Sequence, residues 1–281
     1  MKIAIIPTTG GADPFRGMEI ARELGVEGVH IGAFGGGLDL ENKTSAERAE
    51  ILKRIKGYGL EVSALIGWGG RVDLGEEENL AENIAWGKRI NETAVDMAEG
   101  LWMAHVGIMP EDDSTPRWAR FRESLAEIAA HGERVGACLA LETGPEPPPV
   151  VRRMIEQVNS RALRVNFDPA NLLLWPRTIA RRTGVPLDYE AALRKFDPVA
   201  GLRTLIPYVA HAHAKDSVFR PDGTATEVPL GTGMTNWPVL YSIFKEHGYQ
   251  GYYAIEREVG ESAMEDVRKA VQYLRELDRQ A

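Results

Sequence analysis

Residues 138–168 read CLALETGPEPPPVVRRMIEQVNSRALRVNFD. Residues 138–142 are a short apolar run ending in the carboxylate of Glu142, about 149–158 carry helical spacing, and 163–168 are a second apolar run ending in the carboxylate of Asp168. Strand, helix and strand in immediate succession make a βαβ unit, whose two strands lie parallel in one sheet. The same alternation extends both ways along the chain. Upstream, 2–7, 28–31, 60–66 and 101–106 read as strands; downstream, 209–213 and 252–256 do. About eight βα units result, the number that closes a parallel barrel.

Helix punctuation supports this division. Asp13-Pro14 supplies an N-cap and a first-turn proline for a helix over 14–24, and Gly25 stops it. Thr44-Ser45-Ala46-Glu47 has capping-box spacing for a helix ending near Gly57-Tyr58-Gly59. Further helices are predicted over 79–97, 118–135, up to about Leu205, over 237–247 and from Glu261. A long irregular segment is expected after Asp168, and a loop between His213 and Trp237. A doubly wound sheet shares the alternation, but neither Gly10-Gly11 nor Gly35-Gly36-Gly37 extends to the G-x-G-x-x-G fingerprint at a helix start. The expected fold is a single-domain (β/α)8 TIM barrel spanning 1–281, with no linker or low-complexity tract.

Composition narrows the function. A hydrophobic fraction of 44% and a charged fraction of 26% are those of an ordinary globular chain. A net charge of -8 with a pI near 5.4 repels polyanions, which argues against nucleic acid or anionic membrane as partner. The opening apolar run ends at Pro7, too soon for a signal peptide, and no run approaches the roughly 20 residues of a membrane span. Cys138, the one cysteine, cannot form an intramolecular disulfide and reads as a small core residue. A cytoplasmic location is expected.

Side chains at the C-terminal ends of barrel strands share one mouth. Four consecutive strands end in polar groups there: Glu142, Asp168, His211 with His213, and Glu256. Strand alternation puts Ala140 with Glu142, Asn166 with Asp168, His211 with His213 and Ala254 with Glu256 on common faces. Three carboxylates in one mouth repel unless a cation neutralises them. A divalent metal does so; mainly oxygen ligation with one imidazole favours Mn²⁺, Mg²⁺ or Co²⁺ and leaves Zn²⁺ and Fe²⁺ open. Spacing alone does not choose between His211 and His213.

From Leu139 to Glu258 this pattern resembles the xylose-isomerase-like TIM-barrel superfamily of sugar isomerases and epimerases, which also contains endonuclease IV; in architecture the resemblance covers essentially the whole chain. It implies Glu142, Asp168, His213 and Glu256 as metal ligands, with His213 favoured because the family's His-x-Lys-Asp motif stands at His213-Ala214-Lys215-Asp216. Where many members carry a histidine three residues after the strand-six Asp, this chain has Asn171. The implied activity is metal-dependent isomerisation or epimerisation of a small sugar or keto-sugar through a metal-stabilised enediolate, with Glu142 and Glu256 as acid and base on opposite faces. Dehydration of a keto-inositol or keto-sugar is the alternative. An endonuclease IV-like phosphodiesterase would need more metal-binding histidines than the six present and a basic face; a non-catalytic sugar binder is the remaining rival.

His30, Trp68, His105, Lys215, Glu227 and Arg257 are the candidates for substrate contact, with Trp175 and Glu258 beside them. Gly231-Thr232-Gly233 and Gly35 to Gly37 could approach a ligand through backbone groups. Arg177, Arg181 and Arg182 read as a solvated loop, an anion site or a lid. His211 reads equally as a satisfied interior residue, and His131 and His247 as helix-end residues. A homodimer or homotetramer is expected, since exposed barrel helices commonly pair.

Overall fold

The computed structural model describes residues 1–68, 72–260 and 262–280. Among them are ten strands: β1 (Lys2–Ile5), β2 (Gly28–Gly32), β3 (Glu61–Ile66), β4 (Leu101–Ala104), β5 (Cys138–Glu142), β6 (Leu163–Phe167), β7 (Val209–Ala214), β8 (Asp216–Phe219), β9 (Ala225–Val228) and β10 (Tyr252–Ile255). All but β8 and β9 close into one barrel in the order β1-β10-β7-β6-β5-β4-β3-β2, every pair parallel. The predicted (β/α)8 barrel is the observed fold.

The helices around it are α1 (Pro14–Leu24), α2 (Ser45–Gly57), α3 (Leu80–Met97), α4 (Pro116–Val135), α5 (Pro148–Val158), α6 (Pro169–Thr183), α7 (Tyr189–Lys195), α8 (Pro198–Leu205), α9 (Trp237–Glu246) and α10 (Ala263–Gln280). The caps read from sequence are present: Asp13 accepts from Phe15 N and Arg16 N, both at 3.0 Å, and Thr44 with Glu47 forms the capping box. Glu261, predicted to begin the last helix, lies outside the described residues.

Two expectations are corrected. The segment after Asp168 is not irregular but begins with α6, because the Asp168 carboxylate caps it and Pro169 sits in its first turn. Pro176 inside α6 masked the helix in the sequence. The segment from His213 to Trp237 holds the antiparallel hairpin β8–β9, with Asp216 opposite Val228 and Phe219 opposite Ala225. Its turn, Arg220-Pro221-Asp222-Gly223, has the composition such turns require.

Alternation along the strands divides small and polar side chains from bulky ones. Val29, Leu65, Trp102, Leu139, Leu141, Val165 and Phe167 join the main core with the helices. Ala4, Tyr252 and Ala254 form a separate cluster, and His30, Ser63, Asn166, His211 and His213 are buried and bonded to one another inside the barrel. Register shifts fall at Val29/His30 and Val165/Asn166, and the residue after each shift sends a polar side chain inward.

Candidate metal centre

Glu142 closes β5, Asp168 and Glu256 lie one residue past β6 and β10, and His213 is the penultimate residue of β7. Strand register levels them: Glu142 pairs with Asn166, and His213 with Ala254. One ligand atom from each lies within 4.8 Å of those of the other three. His213 Nδ1 is 3.2 Å from Glu142 Oε1, 3.2 Å from Glu256 Oε2 and 3.5 Å from Asp168 Oδ2.

These contacts are close without being well-directed hydrogen bonds. His213 Nδ1 and Asp168 Oδ2 are both buried and have no hydrogen-bond partner, a condition that costs about 1–3 kcal/mol for each group left unsatisfied. The rest of Asp168 is fully engaged: Oδ1 accepts from Ala170 N at 2.8 Å and Asn171 N at 3.0 Å, while its backbone exchanges hydrogen bonds with the Thr143 hydroxyl at 2.8 and 2.9 Å. Oδ2 is thereby aimed at the cluster. Three carboxylates and one imidazole converging, with Asp168 Oδ2 and His213 Nδ1 unsatisfied, are a donor set that fits a divalent cation.

The surrounding charges oppose the cost of burial. Burial would raise the Glu256 pKa, but His213 and Lys215 outweigh it and hold the carboxyl well below its ordinary range. Glu142 is lowered in the same way, against burial, by His105 and His213. Burial would lower His213, yet Glu256, Asp168 and Glu142 raise it well above the usual imidazole value. Lys215 is likewise raised against burial by Glu256, Asp168 and Glu258. Its Nζ lies 2.8 Å from Glu256 Oε2 and 3.8 Å from Asp168 Oδ2, and it also donates to Glu258.

A sequence model described as xylose isomerase-like TIM barrel matches residues 18–277. The chain belongs to the xylose isomerase-like TIM barrel family. Among solved members of this fold, the xylose isomerase domain protein from Planctomyces limnophilus has a TM-score of 0.79 at 25% identity, covering 99% of this chain and 96% of that one. A D-tagatose 3-epimerase-like protein has a TM-score of 0.73 at 17% identity, covering 100% and 99%. A probable 3-DHS dehydratase from Bacillus anthracis has a TM-score of 0.72 at 17% identity, covering 98% of each chain. No curated protein sequence matches the chain.

Within this xylose isomerase-like barrel, the residues expected around the metal divide into groups. His105 reaches the mouth: its Nε2 is 3.2 Å from Glu142 Oε2, and its ring meets Trp175 edge-on at 5.5 Å. Both line a pocket of about 210 Å³ together with Gly107, Pro145 and Arg182. Lys215 also reaches the cluster. His30 and Trp68 are fully buried and offer no surface to a substrate. Trp68 instead donates its indole N–H to His105 O at 2.7 Å, fixing the backbone that carries His105. Glu227 and Arg257 pair with each other at 2.7 Å, and Arg257 also holds Asp266 at 3.0 Å, so this pair ties the hairpin to the segment after β10.

The Gly231-Thr232-Gly233 turn is bonded to protein: Asp216 accepts from Gly231 N at 3.0 Å and from Gly233 N at 2.9 Å. A Cβ at Gly233 would fall 2.1 Å from Asp216 Oδ1, so the turn requires glycine there. Arg177, Arg181 and Arg182 lie on α6 rather than in a loop, with Arg182 over the Trp175 ring at 5.5 Å. Asn171 donates to Glu142 Oε1 at 3.2 Å. Burial pushes the Cys138 thiol up to about 11 and keeps it protonated, as suits a core residue.

Two residues passed over in the sequence matter here. Thr143 joins the ends of β5 and β6, and Glu146 is a buried carboxyl whose Oε1 accepts from Met109 N at 2.8 Å. Burial pushes Glu146 up to about 8. Its place in Gly144-Pro145-Glu146-Pro147, among residues that cannot reach far from the barrel, was the available signal.

Proposed function

We propose that this chain is a divalent-metal-dependent isomerase or epimerase of a small sugar or keto-sugar, with Glu142, Asp168, His213 and Glu256 as ligands to Mn²⁺, Mg²⁺ or Co²⁺. The observation that carries the reading is the convergence of these four side chains with Asp168 Oδ2 and His213 Nδ1 left unpartnered. Held by these four residues, a divalent ion would supply Lewis acidity that makes the C–H next to a substrate carbonyl more acidic.

Glu142 and Glu256 are the acid and base. Each is held ionised before substrate enters, by His105 and His213 in the first case and by His213 and Lys215 in the second. One carboxylate takes the proton from carbon; in isomerisation it returns that proton to the neighbouring carbon, and in epimerisation the other carboxylate, after taking up a proton from solvent, delivers it to the opposite face. His105 and Asn171 fix the Glu142 carboxylate from two sides, through Oε2 and Oε1. Lys215 is placed beside Glu256 to balance negative charge that develops on substrate oxygens. The pocket lined by His105 and Trp175 supplies a polar edge and an aromatic face, the combination that holds a sugar ring.

Metal content of purified protein, measured beside Glu142→Gln and His213→Ala, tests the centre. Stoichiometric metal in wild type, lost in both variants with the fold retained, supports it; wild type that takes up none of Mn²⁺, Mg²⁺, Co²⁺ or Zn²⁺ overturns it. Product NMR on ketoses and keto-inositols then separates isomerisation or epimerisation from loss of water.

A further inference from the structure

Behind His213, inside the barrel, stand two more imidazoles, His30 on β2 and His211 on β7, both fully buried. Their hydrogen-bond partners determine where the protons sit. His30 Nδ1 is 3.0 Å from Ala64 O. A carbonyl only accepts, so Nδ1 carries the N–H, and the Nε2 of a neutral imidazole then presents a lone pair. No carboxylate touches His30 to compensate a second proton in this buried position among the described residues. His30 Nε2 faces His213 Nε2 at 3.3 Å, so His213 Nε2 is the donor. In the neutral form that a metal ligand requires, His213 then has its lone pair on Nδ1, the atom that faces Glu142, Asp168 and Glu256.

We propose that His30 is a positioning residue of the metal centre: by accepting the His213 Nε2–H it selects the tautomer and ring orientation that offer Nδ1 to the ion. The inference rests on the metal-site reading above. The second nitrogen of a metal-bound histidine is ordinarily held by a carboxylate, a backbone carbonyl or water; here an imidazole is interposed, itself anchored on a carbonyl. His211 holds this imidazole in place. Its ring lies 4.7 Å from that of His30 at an interplanar angle of 32°, and both of its own nitrogens are bound, Nδ1 to Asn166 Oδ1 at 2.8 Å and Nε2 to Ser63 Oγ at 3.2 Å. The interior histidines thus form a second layer that aims the first.

Calorimetric Mn²⁺ affinity of wild type, His30→Phe and His30→Gln at one pH tests the assignment, with circular dichroism to check folding. Phe keeps a planar ring and removes the acceptor, whereas the Gln side-chain oxygen reaches about as far as Nε2. The expected result is Mn²⁺ binding about 10- to 100-fold weaker in His30→Phe and within a few-fold of wild type in His30→Gln. Equal affinity in folded His30→Phe and wild type overturns the proposal and leaves the metal site standing. Equal weakening in both variants also overturns it, since the acceptor would then be irrelevant. Wild type that binds no metal removes both readings. Should His30→Phe fail to fold, the imidazole ¹⁵N spectrum of Mg²⁺-loaded wild type decides: a through-hydrogen-bond coupling from the His213 Nε2–H to an unprotonated His30 Nε2 supports the proposal, and its absence, or a proton on His30 Nε2, overturns it while leaving the metal site standing.

Discussion

At the scale of single residues, His213 has one ring nitrogen against three carboxylates and the other against a second imidazole. Glu142 shares that crowding but also carries proposed chemistry, so Glu142→Gln separates charge from shape. Gln loses the proton-accepting carboxylate and weakens the hold on co-purified metal; with Mn²⁺ added back in excess, turnover is expected to fall about 10²- to 10⁴-fold, as loss of a general acid–base group does, read by product NMR. Glu146 gives a prediction of another kind. Its folded pKa, pushed up to about 8 by burial, exceeds the ordinary carboxyl value of about 4.3. The folded state therefore binds more protons than the unfolded one between these values, and stability falls as pH rises through that window. Glu146→Gln keeps an oxygen for Met109 N–H and removes the titration. Urea unfolding at pH 5 and pH 8 should show the variant gaining on wild type at the higher pH, by on the order of 4 kcal/mol between these two pH values. Parallel pH profiles for the two proteins would contradict this.

At the scale of elements, the site depends on how strand ends are joined. Thr143 links β5 to β6 by both donating to and accepting from the Asp168 backbone, which sets the level of two metal-facing carboxylates at once. Thr143→Val keeps the volume and deletes both bonds. It is expected to destabilise by about 2 kcal/mol, twice the net value of a typical buried hydrogen bond, and to weaken metal binding, checked by denaturant unfolding and calorimetry on the same samples. Elements also mark where the sequence was legible. The barrel strands were, because each apolar run is short and bounded by glycine, proline or a capping residue; β5 spans 138–142 as read. The α6 helix was not, because Pro169 and Pro176 suggested a break where the first opens the helix and the second is buried within it. The β8–β9 hairpin was missed because each strand has only four residues. Among candidate site residues, the motif positions were legible since polar groups ending apolar strands have few other reasons to be there. The roles of Trp68, Glu227 and Arg257 were not, because a side chain near a strand end can turn toward the mouth, a helix or a neighbouring loop, and only tertiary packing decides.

At the scale of the whole molecule, the metal-facing residues come from four adjacent strands, so an ion bound there ties β5, β6, β7 and β10 together in the folded state alone. Metal present at about 100 times its dissociation constant should stabilise the fold by about 2.7 kcal/mol and raise Tm by roughly 5 °C for a chain of this size. Scanning calorimetry with and without EDTA measures this, and an unchanged Tm would count against a structural contribution from the ion. No helix among the described residues is long and apolar enough to cross a membrane.

The position of the metal-facing groups along the chain has a further consequence for redesign. Glu142, Asp168, His213 and Glu256 all follow the fourth strand, while β1, β2 and β4 precede them and end at the same mouth. Exposed positions in the loops over 6–13, 33–44 and 107–115 can therefore be randomised in a library without touching the proposed metal ligands, provided the caps Asp13 and Thr44, the buried Ala33, Leu38, Leu40 and Met109, and His30 and His105 are kept. Selection on such a library would search substrate preference while the proposed acid–base pair, Glu142 and Glu256, is inherited unchanged.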